Sequence, residues 1–166
     1  MTVLFCHGLE SSPQGRKVQA LRAAGLEVVA PDFQGQNLAA RVATLLPVLR
    51  AHPEALVVGS SYGGITALCA AILHVEAGGR LRGLLLCAPA LGRYEAPADA
   101  MRLYPPVPTV ILHGLRDSVV PTRVSEEFAA TYPEVRLELV DDDHRLNGSL
   151  DRIVALTREL LGPASP

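Results

Sequence analysis

The sequence has no tryptophan and a single lysine, Lys17. Every other fixed positive charge is an arginine, and 15 basic residues stand against 17 acidic ones, for a net charge of −2. The basic residues gather in no run or face, which argues against nucleic acid or an anionic membrane surface as a partner. Cysteine is scarce as well. Cys6, Cys69 and Cys87 are odd in number, far apart and set in apolar runs. A disulfide framework or a metal site needs paired or clustered ligands, so these read as small core residues in a reducing, cytoplasmic setting. No apolar run is long enough to span a bilayer. The opening MTVLFCHG reads as a strand, not as a charged and then apolar leader. Repeats, low-complexity segments and linkers are missing too, and residues 1–166 are expected to form one domain.

What is present is apolar and periodic. Hydrophobic residues make up 49% of the chain and charged residues 19%, enough to bury a core without staples. Short apolar runs occur at Val3–Cys6, Glu27–Ala30, Leu56–Val58, Leu84–Cys87, Thr109–Leu112 and Leu137–Val140. Several are apolar at every position, as strands covered on both faces are. Between them lie helical stretches: Arg16–Ala24, Leu38–Arg50 after a capping Asn37, Tyr62–Ala77, Arg123–Tyr132, and Leu150–Leu161 before Gly162. Six strands alternating with helices predict an α/β domain with a mainly parallel sheet. The proline-rich segment Ala88–Pro108 has no sustained period and reads as an irregular connection.

The most informative stretch is Gly59-Ser60-Ser61-Tyr62-Gly63-Gly64. It fits G-x-S-x-G between a strand and a helix, the nucleophile elbow. The turn is so sharp that side chains two positions either side of the serine would clash, which suits Gly59 and Gly63 and makes Ser61 the nucleophile. Ser60, the rival, has Val58 and Tyr62 at those positions. A serine hydroxyl needs a base to take its proton. Asp117 follows the fifth strand and His144 follows the sixth, the order Ser, acid, His that such a sheet requires. The run Asp141–Asp143 reads as a polar turn presenting His144. Its other reading, a second carboxylate or a weak metal site, lacks further ligand types, and no metal is expected. His7 and His113, each before a glycine at a strand end, read as turn or packing residues. His52 and His74 read as solvated. Two amides should meet the oxyanion: Tyr62 N–H at the helix start, and Leu9 N–H in the loop Gly8–Pro13. A plain strand-to-helix connection is the alternative for that loop.

Taken together, HGLESSPQGRK, GSSYGG, HGLRDSVVP and the late DHR resemble the α/β-hydrolase superfamily, and within it the small, lid-poor YqiA-like esterases. The resemblance implies a three-layer sandwich with strand order 2-1-3-4-5-6, helices on both faces and a minimal lid. It implies the set Ser61, Asp117 and His144, oxyanion amides on Leu9 and Tyr62, and no cofactor. Two strands that usually lead the superfamily core are not supplied, which would leave Glu27–Ala30 at a sheet edge able to pair in a homodimer; a monomer is the other expectation. The expected reaction is cleavage of a small-molecule ester or thioester. A hydrolase-fold binding protein with little turnover, or an acyltransferase or carbon–carbon hydrolase, are the alternatives. Tyr62 and DDDHRL depart from the group's pattern and leave the substrate open. An open, shallow site is expected, lined by Leu91, Tyr94 and Tyr104, with Glu10 beside it and Arg93 and Arg145 at its mouth.

Overall fold

Apolar runs that alternate with amphipathic stretches bury themselves as a sheet between two helical layers. In a computed structural model, which describes residues 1–92 and 95–163, the chain does this throughout. The elements are β1 (Thr2–Cys6), α1 (Arg16–Ala23), β2 (Glu27–Val29), α2 (Leu38–Ala51), β3 (Leu56–Ser60), α3 (Tyr62–Glu76), β4 (Gly83–Cys87), β5 (Thr109–Gly114), α4 (Thr122–Thr131), β6 (Arg136–Val140) and α5 (Leu150–Leu161). The strands lie in the order β2-β1-β3-β4-β5-β6, and all five pairings are parallel.

Alternate residues along each strand point to opposite layers. Val3, Phe5, Leu56, Val58, Leu85 and Leu112 meet Val18 and Leu21 of α1 and Ile153 and Leu156 of α5. Leu4, Cys6, Val57, Leu84, Leu86 and Ile111 meet α2, α3 and α4 on the other face. β4 is buried at every position, which explains its unbroken GLLLC. α3 is buried along most of its length because it packs deep against the sheet centre. Asn37 caps α2 by accepting the Ala40 N–H at 2.9 Å.

Between β4 and β5 the described residues form no regular element. Leu91 and Ala98 of this connection tuck into the core beside α2 and α3. The three cysteines are free and buried. Burial pushes the Cys6 and Cys69 thiols up to about 12 and Cys87 to about 11, so none is a competent thiolate near neutral pH. Among the described residues no helix is long and apolar enough to cross a membrane. The chain leaves β1 toward β2, and β3 enters on the other side of β1. The crevice at the C-terminal ends of β1 and β3 is therefore a switch point, where open α/β sheets place ligands.

Candidate active site

Ser61 stands at that crevice, between β3 and α3, with φ 55° and ψ −118°. A positive φ is costly for a residue with a Cβ, and it persists here because the surroundings hold it. The Ser61 N–H donates to Cys87 O at 2.9 Å, and its carbonyl accepts from Gly64 and Ala90. The flanking glycines leave no spare room. A Cβ on Gly59 would lie 2.5 Å from Gly63 O, and one on Gly63 would lie 2.0 Å from Cys6 O.

His144 reaches Ser61 from the loop after β6. Its Nε2 lies 2.9 Å from Ser61 Oγ, and its Nδ1 lies 2.7 Å from Asp117 Oδ2. The Asp117 carboxylate is fully buried, whereas the imidazole is 20% exposed. Burial on its own would raise the Asp117 carboxyl. Hydrogen bonds from His144 and from the Val120 and Val119 amides outweigh it and hold the group below the usual carboxylate range. An ionised carboxylate only accepts, so His144 carries its proton on Nδ1, and its Nε2 lone pair faces the serine hydroxyl.

Each member of this line is braced. The Val119 and Val120 amides both donate to Asp117 Oδ1 at 2.8 Å. His113 Nε2 lies 3.1 Å from Asp117 Oδ2 and 2.9 Å from Val120 O, and its Nδ1 lies 2.7 Å from Ser125 Oγ. Two acceptors face Nε2, so that nitrogen bears the proton. The acidic run divides its carboxylates: Asp141 and Asp143 are exposed and Asp142 is buried. Asp141 takes Arg116, Asp142 accepts from Ser149 Oγ, and Asp143 accepts from the Arg145 amide. Lys17 donates to Arg145 O at 2.6 Å and so ties α1 to the turn that carries His144.

A cleft of about 1060 Å³ opens over Ser61 and His144. Leu9, Glu10, Tyr62 and Arg145 line it, and so do Ala90, Val119, Val120, Pro121 and Val124. Two expected lining residues are elsewhere. Leu91 is a core residue, 3% exposed, because the connection after β4 folds inward there. Tyr104 lies against α3, where its hydroxyl donates to Glu76 at 3.1 Å, and it lines a separate hollow with Ile72, Met101 and Tyr132. Tyr94 and Arg93 fall outside the described residues.

The sequence matches the family model described as alpha/beta hydrolase family over residues 3–164, nearly its whole length. The chain belongs to the alpha/beta hydrolase family. Among solved structures, it resembles a protein assigned to the hydrolases of the alpha/beta superfamily from Xanthomonas campestris pv. campestris, at 28% identity and TM-score 0.79, covering 96% of both chains. Est1E from Butyrivibrio proteoclasticus shares the fold at 19% identity and TM-score 0.78, over 96% of this chain and 86% of its own. Alpha/beta hydrolase domain-containing protein 10 from mouse does so at 19% identity and TM-score 0.79, over 96% and 89%. Comparison with curated proteins gives no match.

In this alpha/beta hydrolase the histidines divide differently from the sequence expectation. His74 is buried, 6% exposed, with its ring pressed on Gly79. The Gly78-Gly79 turn folds back over it, which a helical pattern alone does not show. His52, at the end of α2, is half-buried. His7 is a buried turn residue, as its place before Gly8 suggests. His113 is buried in packing too, but it also touches Asp117. Its spacing, four residues before the acid, is the signal that could have found it.

Proposed function

We propose that this alpha/beta hydrolase is a serine hydrolase that cleaves a carboxylic ester or thioester through an acyl-enzyme on Ser61. The observation that carries the reading is the unbroken hydrogen-bond line from Ser61 Oγ through His144 to Asp117. His144 Nε2 takes the hydroxyl proton as Ser61 Oγ bonds to the substrate carbonyl carbon. Asp117 stabilises the imidazolium and keeps its orientation. The N–H groups of Leu9 and Tyr62 receive the oxyanion. The tetrahedral adduct collapses, its bond to the alcohol or thiol breaks, and His144 passes the proton to the leaving group. Water, deprotonated by the same nitrogen, then attacks the acyl-enzyme; the bond to Ser61 Oγ breaks, the acid leaves, and His144 returns the proton to the serine oxygen.

The wide cleft lets water reach the acyl group, which favours hydrolysis over transfer to a second acceptor. The motif likeness to the small, lid-poor YqiA-like esterases points the same way, as does the lack of a helical lid between β4 and β5 among the described residues. Glu10 and Arg145 stand at the cleft to meet the leaving group or the acid. The three free thiols fit a cytoplasmic protein, and a single domain acting as a monomer or homodimer fits the chain length.

A fluorophosphonate probe tests the reading. The expected result is one adduct, mapped by mass to Ser61 and lost in Ser61→Ala and His144→Ala. A folded wild-type protein that stays unlabelled and turns over no ester or thioester in a panel of short and long acyl chains would overturn it.

A further inference from the structure

Arg41 is the largest fully buried side chain among the described residues, 1% exposed. Among the described residues no carboxylate pairs with it. Its Nη1 donates to His7 O at 2.7 Å, its Nη2 to Gly8 O at 3.4 Å and its Nε to Gln36 O at 3.1 Å. The guanidinium carbon also lies 4.9 Å from the centre of the Tyr62 ring and 5.5 Å from that of Phe33. A guanidinium stays cationic in a protein, and Asp32 stabilises it only at a distance, so its burial without a paired carboxylate is expensive.

The partners are the informative part. Gly8 C=O and Leu9 N–H belong to one peptide unit and point in opposite directions. Arg41 and His7 Nδ1, at 2.8 Å, both donate to that carbonyl. His7 is held in turn, because its Nε2 accepts the Phe33 N–H at 2.9 Å. The Leu9 N–H therefore faces away from the buried cluster, and among the described residues it donates to no acceptor. A charge-assisted bond at the carbonyl polarises the whole peptide and strengthens its N–H as a donor. The same guanidinium rests on the ring of Tyr62, the other residue whose amide the proposed mechanism uses.

We infer that Arg41 is a positioning residue for the oxyanion site: through the Gly8 carbonyl it orients and polarises the Leu9 amide, and through the ring contact it holds Tyr62 in place beside it. This inference rests on the reading of Ser61 as nucleophile.

Its test uses the full-length protein, Arg41→Met, which keeps the bulk and loses the charge, and Arg41→Lys, which keeps the charge. The probes are p-nitrophenyl acetate and an aryl trifluoromethyl ketone, whose adduct with Ser61 carries an oxyanion. Arg41→Met is expected to lower kcat about 10- to 100-fold with KM within about twofold, and to weaken the ketone by the same factor. Arg41→Lys should recover part of that rate at a melting temperature no higher than that of Arg41→Met. The Leu9 amide nitrogen, read by NMR, should move upfield in both variants as the bond to Gly8 O is lost. A folded Arg41→Met with wild-type kcat and an unmoved Leu9 amide overturns the inference. Equal losses in both variants that only follow melting temperature overturn it as well. If Arg41→Met does not fold, an Arg41→Lys protein with unchanged kcat and Leu9 amide does the same. Wild-type protein without Ser61-dependent hydrolysis would sink the nucleophile reading and the oxyanion role with it, whereas a shifted Leu9 amide would still show that Arg41 polarises that peptide.

Discussion

Gly63 and Gly92 both lie close to Ser61, and a methyl group would have opposite effects on them. At Gly63 a Cβ would sit 2.0 Å from Cys6 O, inside backbone that cannot yield. Gly63→Ala is expected to cost more than about 3 kcal/mol and to abolish fluorophosphonate labelling. At Gly92 the nearest atom would be Val124 Cγ2 at 3.5 Å, an ordinary contact. Gly92→Ala should change stability by less than about 0.5 kcal/mol and leave labelling intact. Urea titration and labelling of the two variants check both. His113 gives a subtler case. Its Nε2 steadies Asp117 Oδ2 and its Nδ1 meets Ser125. His113→Asn leaves buried polar groups short of partners, so a loss of about 1–3 kcal/mol is expected. If the carboxylate then drifts, kcat should fall about tenfold with KM unchanged; an unaltered kcat in a destabilised protein would confine His113 to packing. The elbow was legible in the sequence because glycine spacing records a steric need that only glycine meets. Arg41 was not, since a buried polar side chain looks like any other until its partners, here His7 and Gly8 far away in the chain, are known; His113 left only its spacing of four from Asp117.

Elements were legible where one period governed a whole stretch. β4 and α3 announced themselves by unbroken apolar runs, and Asn37 marked the start of α2. The connection after β4 was opaque: without a period, nothing in the sequence says that Leu91 turns inward or that Tyr104 lies against α3. The cap is the simplest test at this scale. Asn37→Ala should cost about 1 kcal/mol and leave kcat untouched, because the lost side chain caps only Ala40 and the main-chain bond from Arg41 N–H to Asn37 O remains; calorimetry and steady-state assays check it. β6 and α5 are joined by a denser network. Arg152 forks onto Glu138 at 2.8 and 2.6 Å, Arg136 donates to the same carboxylate, and Arg136 also pairs with Glu159. The Arg152 fork, opposed by burial and aided by Arg136, holds Glu138 down to about 2 against an ordinary 4.5. A folded-state value below the unfolded one adds stability that is complete above the unfolded value and lost as pH falls through the folded one. Glu138→Gln should therefore be about 1 kcal/mol less stable than wild type near neutral pH. That gap should close as the pH drops from 4.5 toward 2. Denaturant titrations at several pH values would expose a constant gap, which the ion pairs cannot produce.

At the scale of the molecule, stability is unevenly shared across the sheet. β3, β4 and β5 each pair on both sides, and β4 is buried at every position. β2 spans three residues, pairs only with β1, and is exposed or half-buried throughout. Opening β2 would break one ladder and uncover little apolar surface, whereas opening β4 would break two ladders and both cores. Local opening of an edge strand costs less than global unfolding, and each ~1.4 kcal/mol is tenfold in exchange rate. Backbone amides of Val28 and Val29 should therefore exchange with deuterium on the order of 100-fold faster than those of Leu85 and Leu86. β6, the other edge, should fall between them, because Glu138 ties it to α5 through Arg152 and it pairs along five residues with β5. The proposed reactive groups sit on loops anchored to the slow strands: Ser61 after β3, Asp117 after β5. His144 alone hangs from an edge. If hydrogen exchange shows β6 opening as readily as β2, then His144 is delivered by a mobile strand, and kcat should rise on stiffening β6 rather than stay constant.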